Sequence, residues 1–182
     1  MLAGKNIAIL VANGFDENQM TEIQRALTKA KASIQTIAPE QGVVNGWQGD
    51  AWGHYFPVNA QIGEALGSDF DILVLPGGER SVTKLKTNLH TRRIIGHFLD
   101  ANKPIATIGA GAGLLALSDK IAGRVLAASE SVQAELKTAG AEISADAQHI
   151  DGNIFSADGV VNDWVDAALD FFSEAEAVMQ AA

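Results

Sequence analysis

Cysteine is absent from the sequence, which removes thiol nucleophiles, disulfides and thiolate zinc sites together. The remaining residues able to do chemistry are scattered. His54, His90, His97 and His149 fall in different predicted elements, with no i, i+4 pair and no flanking carboxylate cluster, so no metal site is expected short of tertiary convergence. Ser131, Asp158 and His149 supply the residue types of a hydrolase triad, but none lies on a Gly-x-Ser-x-Gly elbow. Gly109-Ala110-Gly111-Ala112-Gly113 is dense enough in glycine to be mistaken for a phosphate loop. Leu114 stands where a dinucleotide fingerprint needs its third glycine, and no Gly-Lys-Ser/Thr follows. A weak anion site at the start of the following helix is one reading of this run; a tight turn between strand and helix is the favoured one. No cofactor is expected. Gln19 stands three residues after Asp16, the spacing of an Asp-x-x-Gln capping box, and capping is favoured over a ligand role.

These residues need a scaffold, and the hydropathy pattern supplies one. Asn6–Ala12, Asp71–Leu75 and Pro104–Ile108 are short, nearly unbroken apolar runs, as strands buried on both faces of a parallel sheet require. Ser33–Ala38 alternates and reads as a further strand. Met20, Ile23, Leu27 and Ala30 recur at helical spacing, giving an amphipathic helix from Glu17 to roughly Ala32. Ile94, Ile95, Phe98 and Leu99 mark a helix from about Thr91, and a short helix continues the glycine-rich turn through Leu117. Arg124–Ala127 reads as a strand, and Val132, Leu136 and Ala139 as a short helix. Asp151-Gly152 turns a compact hairpin between His149 and Phe155. A last helix starts near Val161, with Trp164, Val165, Ala168, Leu169, Phe172 and Ala175 facing inward.

Glycines at 42, 46, 49 and 53 punctuate the stretch from Gln41 to Asn59, which reads as a β-hairpin excursion turned at Asn45-Gly46. Trp47, Trp52, Tyr55 and Phe56 place four of the eleven aromatic residues there. They either fold over their own domain or form a subunit or partner interface. Strands alternate with helices and no linker or repeat intervenes. The expectation is one domain over 1–182 with a flavodoxin-like, doubly wound α/β sandwich: a mostly parallel central sheet with helices on both faces.

The 13 basic and 22 acidic residues give a formal charge of −9, and the densest cationic run (Lys84, Lys86, Arg92, Arg93) is short. Nucleic-acid binding is therefore not expected. Neither a cleavable leader pattern nor an apolar run of membrane-spanning length is evident, so a cytoplasmic protein with no membrane partner is expected.

Taken in order, the landmarks resemble the ThiJ/PfpI superfamily, which has a class I glutamine amidotransferase-like fold. Its members carry Gly-Phe-Glu-Asp-x-Glu after the first strand, and here Gly14-Phe15-Asp16-Glu17-Asn18-Gln19 stands in that place. They carry Pro-Gly-Gly after a buried strand, matched by Pro76-Gly77-Gly78. Their Lys-Pro-(Val/Ile)-Ala-x-Ile-Cys-His-Gly elbow is matched by Lys103-Pro104-Ile105-Ala106-Thr107-Ile108-Gly109-Ala110-Gly111. The resemblance implies a pocket lined by Gly77, Gly78 and Gly111, and a homo-oligomer, dimeric or larger.

The resemblance also implies a lost chemistry. The family's nucleophile position holds Gly109, its neighbouring histidine position Ala110, and its acidic position Gln19. Glycine has nothing to attack with, alanine offers no base, and an amide cannot share a proton as a carboxyl does. The C-terminal domain of large-subunit catalases is similar in having glycine after a Lys-Pro-Ile-Ala strand. The expectation is a non-catalytic binding or stability module. An enzyme acting on a small carbonyl compound through a non-cysteine site, and a stress chaperone, remain the alternatives. Gly109 is expected at positive φ, keeping the elbow without its strain.

Overall fold

The apolar runs do become the buried strands of a central sheet. In a computed structural model, which describes residues 2–160 and 162–181, β1 (Asn6–Leu10) lies between two parallel neighbours. On one side is β3 (Ser33–Ala38), reached through β2 (Phe15–Asp16) and helix α1 (Glu17–Lys29). The hairpin follows as β4 (Val43–Trp47) and β5 (Trp52–Pro57), then β6 (Ala60–Gln61). On the other side of β1 is β7 (Ile72–Leu75), followed by α2 (Glu79–Lys86) and α3 (Leu89–Asp100). The chain continues through β8 (Ile105–Ile108), β9 (Val125–Leu126), α4 (Glu130–Thr138) and β10 (Glu142–Ile143). It closes with β11 (Gln148–Asp151), β12 (Ile154–Ala157) and α5 (Trp164–Ala181). The expected start of that helix near Val161 lies outside the described residues.

The seven-stranded sheet has the order β11-β12-β8-β7-β1-β3-β6, parallel except for the β11–β12 hairpin. Alternation along β1 divides the core. Ile7 and Ile9 join Met20, Ile23 and Leu27 of α1 and Trp164 and Phe172 of α5 on one face. Ala8 and Leu10 join Leu85 of α2, Phe98 of α3 and Leu136 of α4 on the other. Helices thus cover both faces of a flavodoxin-like α/β fold. Because β3 and β7 flank β1 on opposite sides, the carboxyl ends of β1 and β7 form a topological switch point, where such sheets open a crevice.

Several local expectations need correction. Asn45-Gly46 does not turn the hairpin; it lies inside β4, and the turn is made by Gln48–Ala51, closed by Gln48 N–H donating to the Ala51 carbonyl at 2.8 Å. α1 stops at Lys29 rather than near Ala32, because Lys31 takes a left-handed φ of 64°. β1 stops at Leu10, since the Ala12 N–H leaves the ladder and donates to Ser81 Oγ at 2.9 Å. The segment Gly109–Ser118 is 3-10 rather than α-helical, as suits a run whose glycines give little α propensity. α2 and the two-residue strands β2, β6 and β10 were not anticipated. No described helix is long and apolar enough to cross a membrane.

Candidate functional site

Three backbone turns meet at the carboxyl ends of β1, β7 and β8. The first is Asn13–Asp16, the second Pro76–Gly78, and the third the elbow Gly109–Gly111. They approach so closely that side chains are excluded. A Cβ on Gly78, which has φ 105°, would fall 2.5 Å from the Asp16 nitrogen. A Cβ on Gly111 would overlap the Leu75 carbonyl oxygen, and one on Gly77 would fall 2.7 Å from Gln19 Oε1. Gly77, Gly78 and Gly111 are therefore points of backbone contact. Gly109 has φ 58°, and its carbonyl accepts the Ser129 N–H at 3.2 Å.

Gln19 does not complete a capping box. Asp16 Oδ1 accepts the Gln19 N–H at 3.1 Å, the first half of that motif. The Asp16 N–H, however, donates to the Gly77 carbonyl at 2.9 Å. The Gln19 side chain crosses to the neighbouring turn instead, where Oε1 accepts the Gly77 N–H at 2.8 Å. Its Nε2 then lies 3.4 Å from where a Cβ on Gly109 would be. One amide thus ties α1 to the turn after β7 through its oxygen and faces the elbow with its nitrogen.

Ala110, 4% exposed, opens onto a cleft of about 320 Å³ between α2 and α4 that Lys86 and Ser131 also line. Lys86 Nζ lies 2.6 Å from Glu135 Oε2. From the sequence Lys86 was noted only as part of a cationic run and Glu135 not at all: the partners are 49 residues apart, and nothing in either helix's pattern pairs them. The triad residue types stay apart. Ser131 is in this cleft, the Asp158 carboxylate caps its own turn through the Val160 N–H, and His149 lies on β11. Among the described residues no group of three or more metal-ligating side chains converges.

Two histidines have close partners. His97 is half-buried: its ring packs under Gly67, and Nε2 lies 3.0 Å from Lys103 Nζ. Burial, and then the Lys103 charge, hold its pKa below the usual imidazole value. His54 does have a carboxylate partner. Glu17, 7% exposed, accepts the His54 N–H through Oε2 at 3.0 Å and meets His54 Nδ1 through Oε1 at 2.5 Å. A Cβ on Gly46 would fall 2.8 Å from Glu17 Oε2, and one on Gly53 would overlap that oxygen. The hairpin glycines therefore make room for a buried carboxylate.

Burial alone would push the Glu17 carboxyl up, but the hydrogen bonds from the His54 side chain and backbone and from Gln48 outweigh it and draw the pKa below the usual glutamate value. A carboxyl depressed in the folded state stabilises above its unfolded pKa, and that contribution is lost as pH falls through the folded value. Denaturant midpoints should show wild type well above Glu17→Gln at neutral pH. The gap should close as pH falls through and below the ordinary glutamate range. A gap independent of pH would rule out the clamp's electrostatic role.

The DJ-1/PfpI family profile matches residues 5–174. The chain belongs to the DJ-1/PfpI family. It is 32% identical over 139 residues to protein/nucleic acid deglycase 2 of Escherichia coli (strain K12), covering 76% of this chain and 78% of that one. It is 30% identical over 141 residues to general stress protein 18 of Bacillus subtilis (strain 168), covering 77% and 80%. Among solved structures, a ThiJ/PfpI domain protein from Brachyspira murdochii superposes with a TM-score of 0.81 at 18% identity, over 100% of this chain and 99% of that one. A two-domain protein from Anabaena variabilis with DJ-1/ThiJ/PfpI-like and ferritin-like domains gives 0.83 at 21% identity over 93% of this chain. The present chain spans 48% of that protein. As a DJ-1/PfpI protein, this chain has Gly109 and Ala110 at its elbow and Gln19, on α1, beside it.

Proposed function

We propose that this DJ-1/PfpI protein is a non-catalytic, homo-oligomeric binding module. The observation that carries the reading is the elbow. Gly109 has no side chain, Ala110 offers no base, and the Gln19 amide occupies the space beside Gly109 with its oxygen already committed to Gly77. The oligomer rests on the hairpin. Phe56 packs on Phe15 with ring centroids 5.4 Å apart, whereas Tyr55 is left 70% exposed. An aromatic side chain held outward on an ordered hairpin is suited to a subunit contact.

One observation favours the alternative of an enzyme acting on a small carbonyl compound: the cleft that Ala110 lines holds the Lys86 amine. That amine is already engaged by Glu135 Oε2 at 2.6 Å, which is why the first reading is preferred. A single preparation tests both readings. Light scattering should report a dimer or larger species, and methylglyoxal should be consumed no faster than in buffer. Saturable turnover that disappears in Lys86→Ala would establish the alternative, and a monomer at high concentration would remove the oligomer.

A further inference from the structure

Next to the elbow cleft, with which it shares Glu79 and Thr83, a groove of about 720 Å³ runs between α2 and the hairpin. We propose that this groove binds small aromatic carboxylates, with Arg80 receiving the carboxylate and Trp52 the ring. Nothing in the proposal depends on whether the elbow is catalytically silent.

Arg80, Thr83, Lys84 and Thr87 recur at i, i+3, i+4 and i+7 and line one wall; Trp52 and Asn13 line the other. Arg80 is held in an unusual way. Its Cζ lies 3.8 Å from the centre of the Trp47 ring, and its stem crosses Gly14 so closely that a Cβ there would overlap the Arg80 Cβ. A guanidinium held over an indole through its π face has N–H groups left for a further partner, and their fork matches the two oxygens of a carboxylate. Among the described residues no carboxylate takes it.

The neighbouring charges are otherwise accounted for. Lys84 Nζ is paired with Glu40 Oε1 at 2.8 Å, and Glu79, the carboxylate among the lining residues, is exposed to solvent at the start of the helix. Among the described residues Arg80 is thus the cation in the groove without an acidic partner. Trp52 stands at 88° to Trp47, with ring centroids 5.2 Å apart, and is 53% exposed. It offers an aromatic surface next to the guanidinium edge, with the Thr83 and Thr87 hydroxyls nearby. The volume is in the range of small-molecule sites, and the position at the carboxyl ends of β1 and β7 is where doubly wound sheets bind ligands. An acidic protein attracts anions poorly at long range, so the site would select by its fork and its ring rather than by net charge.

The test is a calorimetric titration of the full chain with phenylacetate, phenethylamine and acetate. Phenylacetate should bind. Phenethylamine has the ring with the opposite charge and acetate has the charge without the ring, and both should bind at least about ten-fold more weakly. Arg80→Gln and Trp52→Ala should each weaken phenylacetate about ten-fold or more, and Arg80→Lys should not restore it, because an ammonium lacks the planar fork. Thr87→Phe, at a residue that lines the groove and not the elbow cleft, fills the groove without altering the Arg80 stack and should also block binding, so the idea stays testable if an Arg80 variant folds poorly. Lys86→Gln, in the elbow cleft, should bind as wild type does. The proposal is overturned if phenylacetate fails to bind at millimolar concentration, if Arg80→Gln and Thr87→Phe bind it unchanged, or if Lys86→Gln alone abolishes binding.

Discussion

Gly111→Ala should lower the stability of the fold by about 3 kcal/mol or more, because the added methyl overlaps a backbone carbonyl and not a side chain that can swing away. The Leu75 carbonyl oxygen occupies the place of the methyl, with the Leu75 carbonyl carbon and the Pro76 oxygen each 2.9 Å from it. Leu75 ends β7 in the middle of the sheet, paired with Thr107 of β8, so relief would require moving the elbow. Gly123→Ala is the matched control. Gly123 has φ 79° and nothing within 4 Å of its Cβ position, so its cost is conformational only, about 1 kcal/mol. Urea denaturation should separate the two variants clearly. Equal midpoints would mean that the turn at Gly111 tolerates a side chain and that the close approach does not shape the elbow.

Gly109→Cys restores the atom on which the chemistry of a cysteine enzyme depends, and it should restore no chemistry. There is room for it: a Cβ would sit 3.4 Å from Gln19 Nε2, 3.6 Å from Ser129 Oγ and 3.7 Å from the Asp158 carbonyl oxygen. The penalty is the left-handed backbone at φ 58°, about 1 kcal/mol for a residue with a Cβ. An amide, a hydroxyl and a carbonyl surround the new thiol, and none of them is a cation or a base that would favour the thiolate. Alkylation by iodoacetamide should therefore follow the pH profile of an ordinary thiol, and methylglyoxal should be turned over no faster than by wild type. The combined variant with Ala110→His and Gln19→Glu is the informative comparison. Activity appearing there and not in the single variant would assign the silence to the elbow's missing partners. A single variant that is both more stable and active would refute that account.

The parallel strands could be read from the chain because each is buried on both faces, and an unbroken apolar run such as Asp71–Leu75 has few other uses. What could not be read depends on contacts between distant segments. α2 carries only Ser81, Val82 and Leu85 toward the core and starts at Gly78 without a side-chain cap, so neither an apolar stripe nor a start signal announces it. Asn45-Gly46 has the composition of a turn, but both residues serve other elements. The Asn45 amide donates to the Gly53 and His54 carbonyls at 2.9 and 3.0 Å, and Gly46 leaves space for Glu17. The Gln19 side chain lies beside Gly109 and bonds Gly77, whereas the capping arithmetic sent it to the wrong backbone group. The Glu17–His54 clamp spans 37 residues and left no local trace. Arg80 was passed over because its aromatic partner lies on another element.

The ends of the sheet bear on how the protein would fail. One end is β6, with two paired residues; the other is β11, whose Asp151 receives Arg124 Nε at 3.1 Å and the Val125 N–H at 2.7 Å. Short or tethered margins give a foreign strand little to extend. Loss of the β11–β12 hairpin under heat or mild denaturant would change this, because the next margin is β8, four residues buried along their whole length and rich in branched apolar side chains. Fibrillar self-association, where it occurs, should begin from molecules frayed at that end, and tightening the Arg124–Asp151 tether should delay it without altering the elbow.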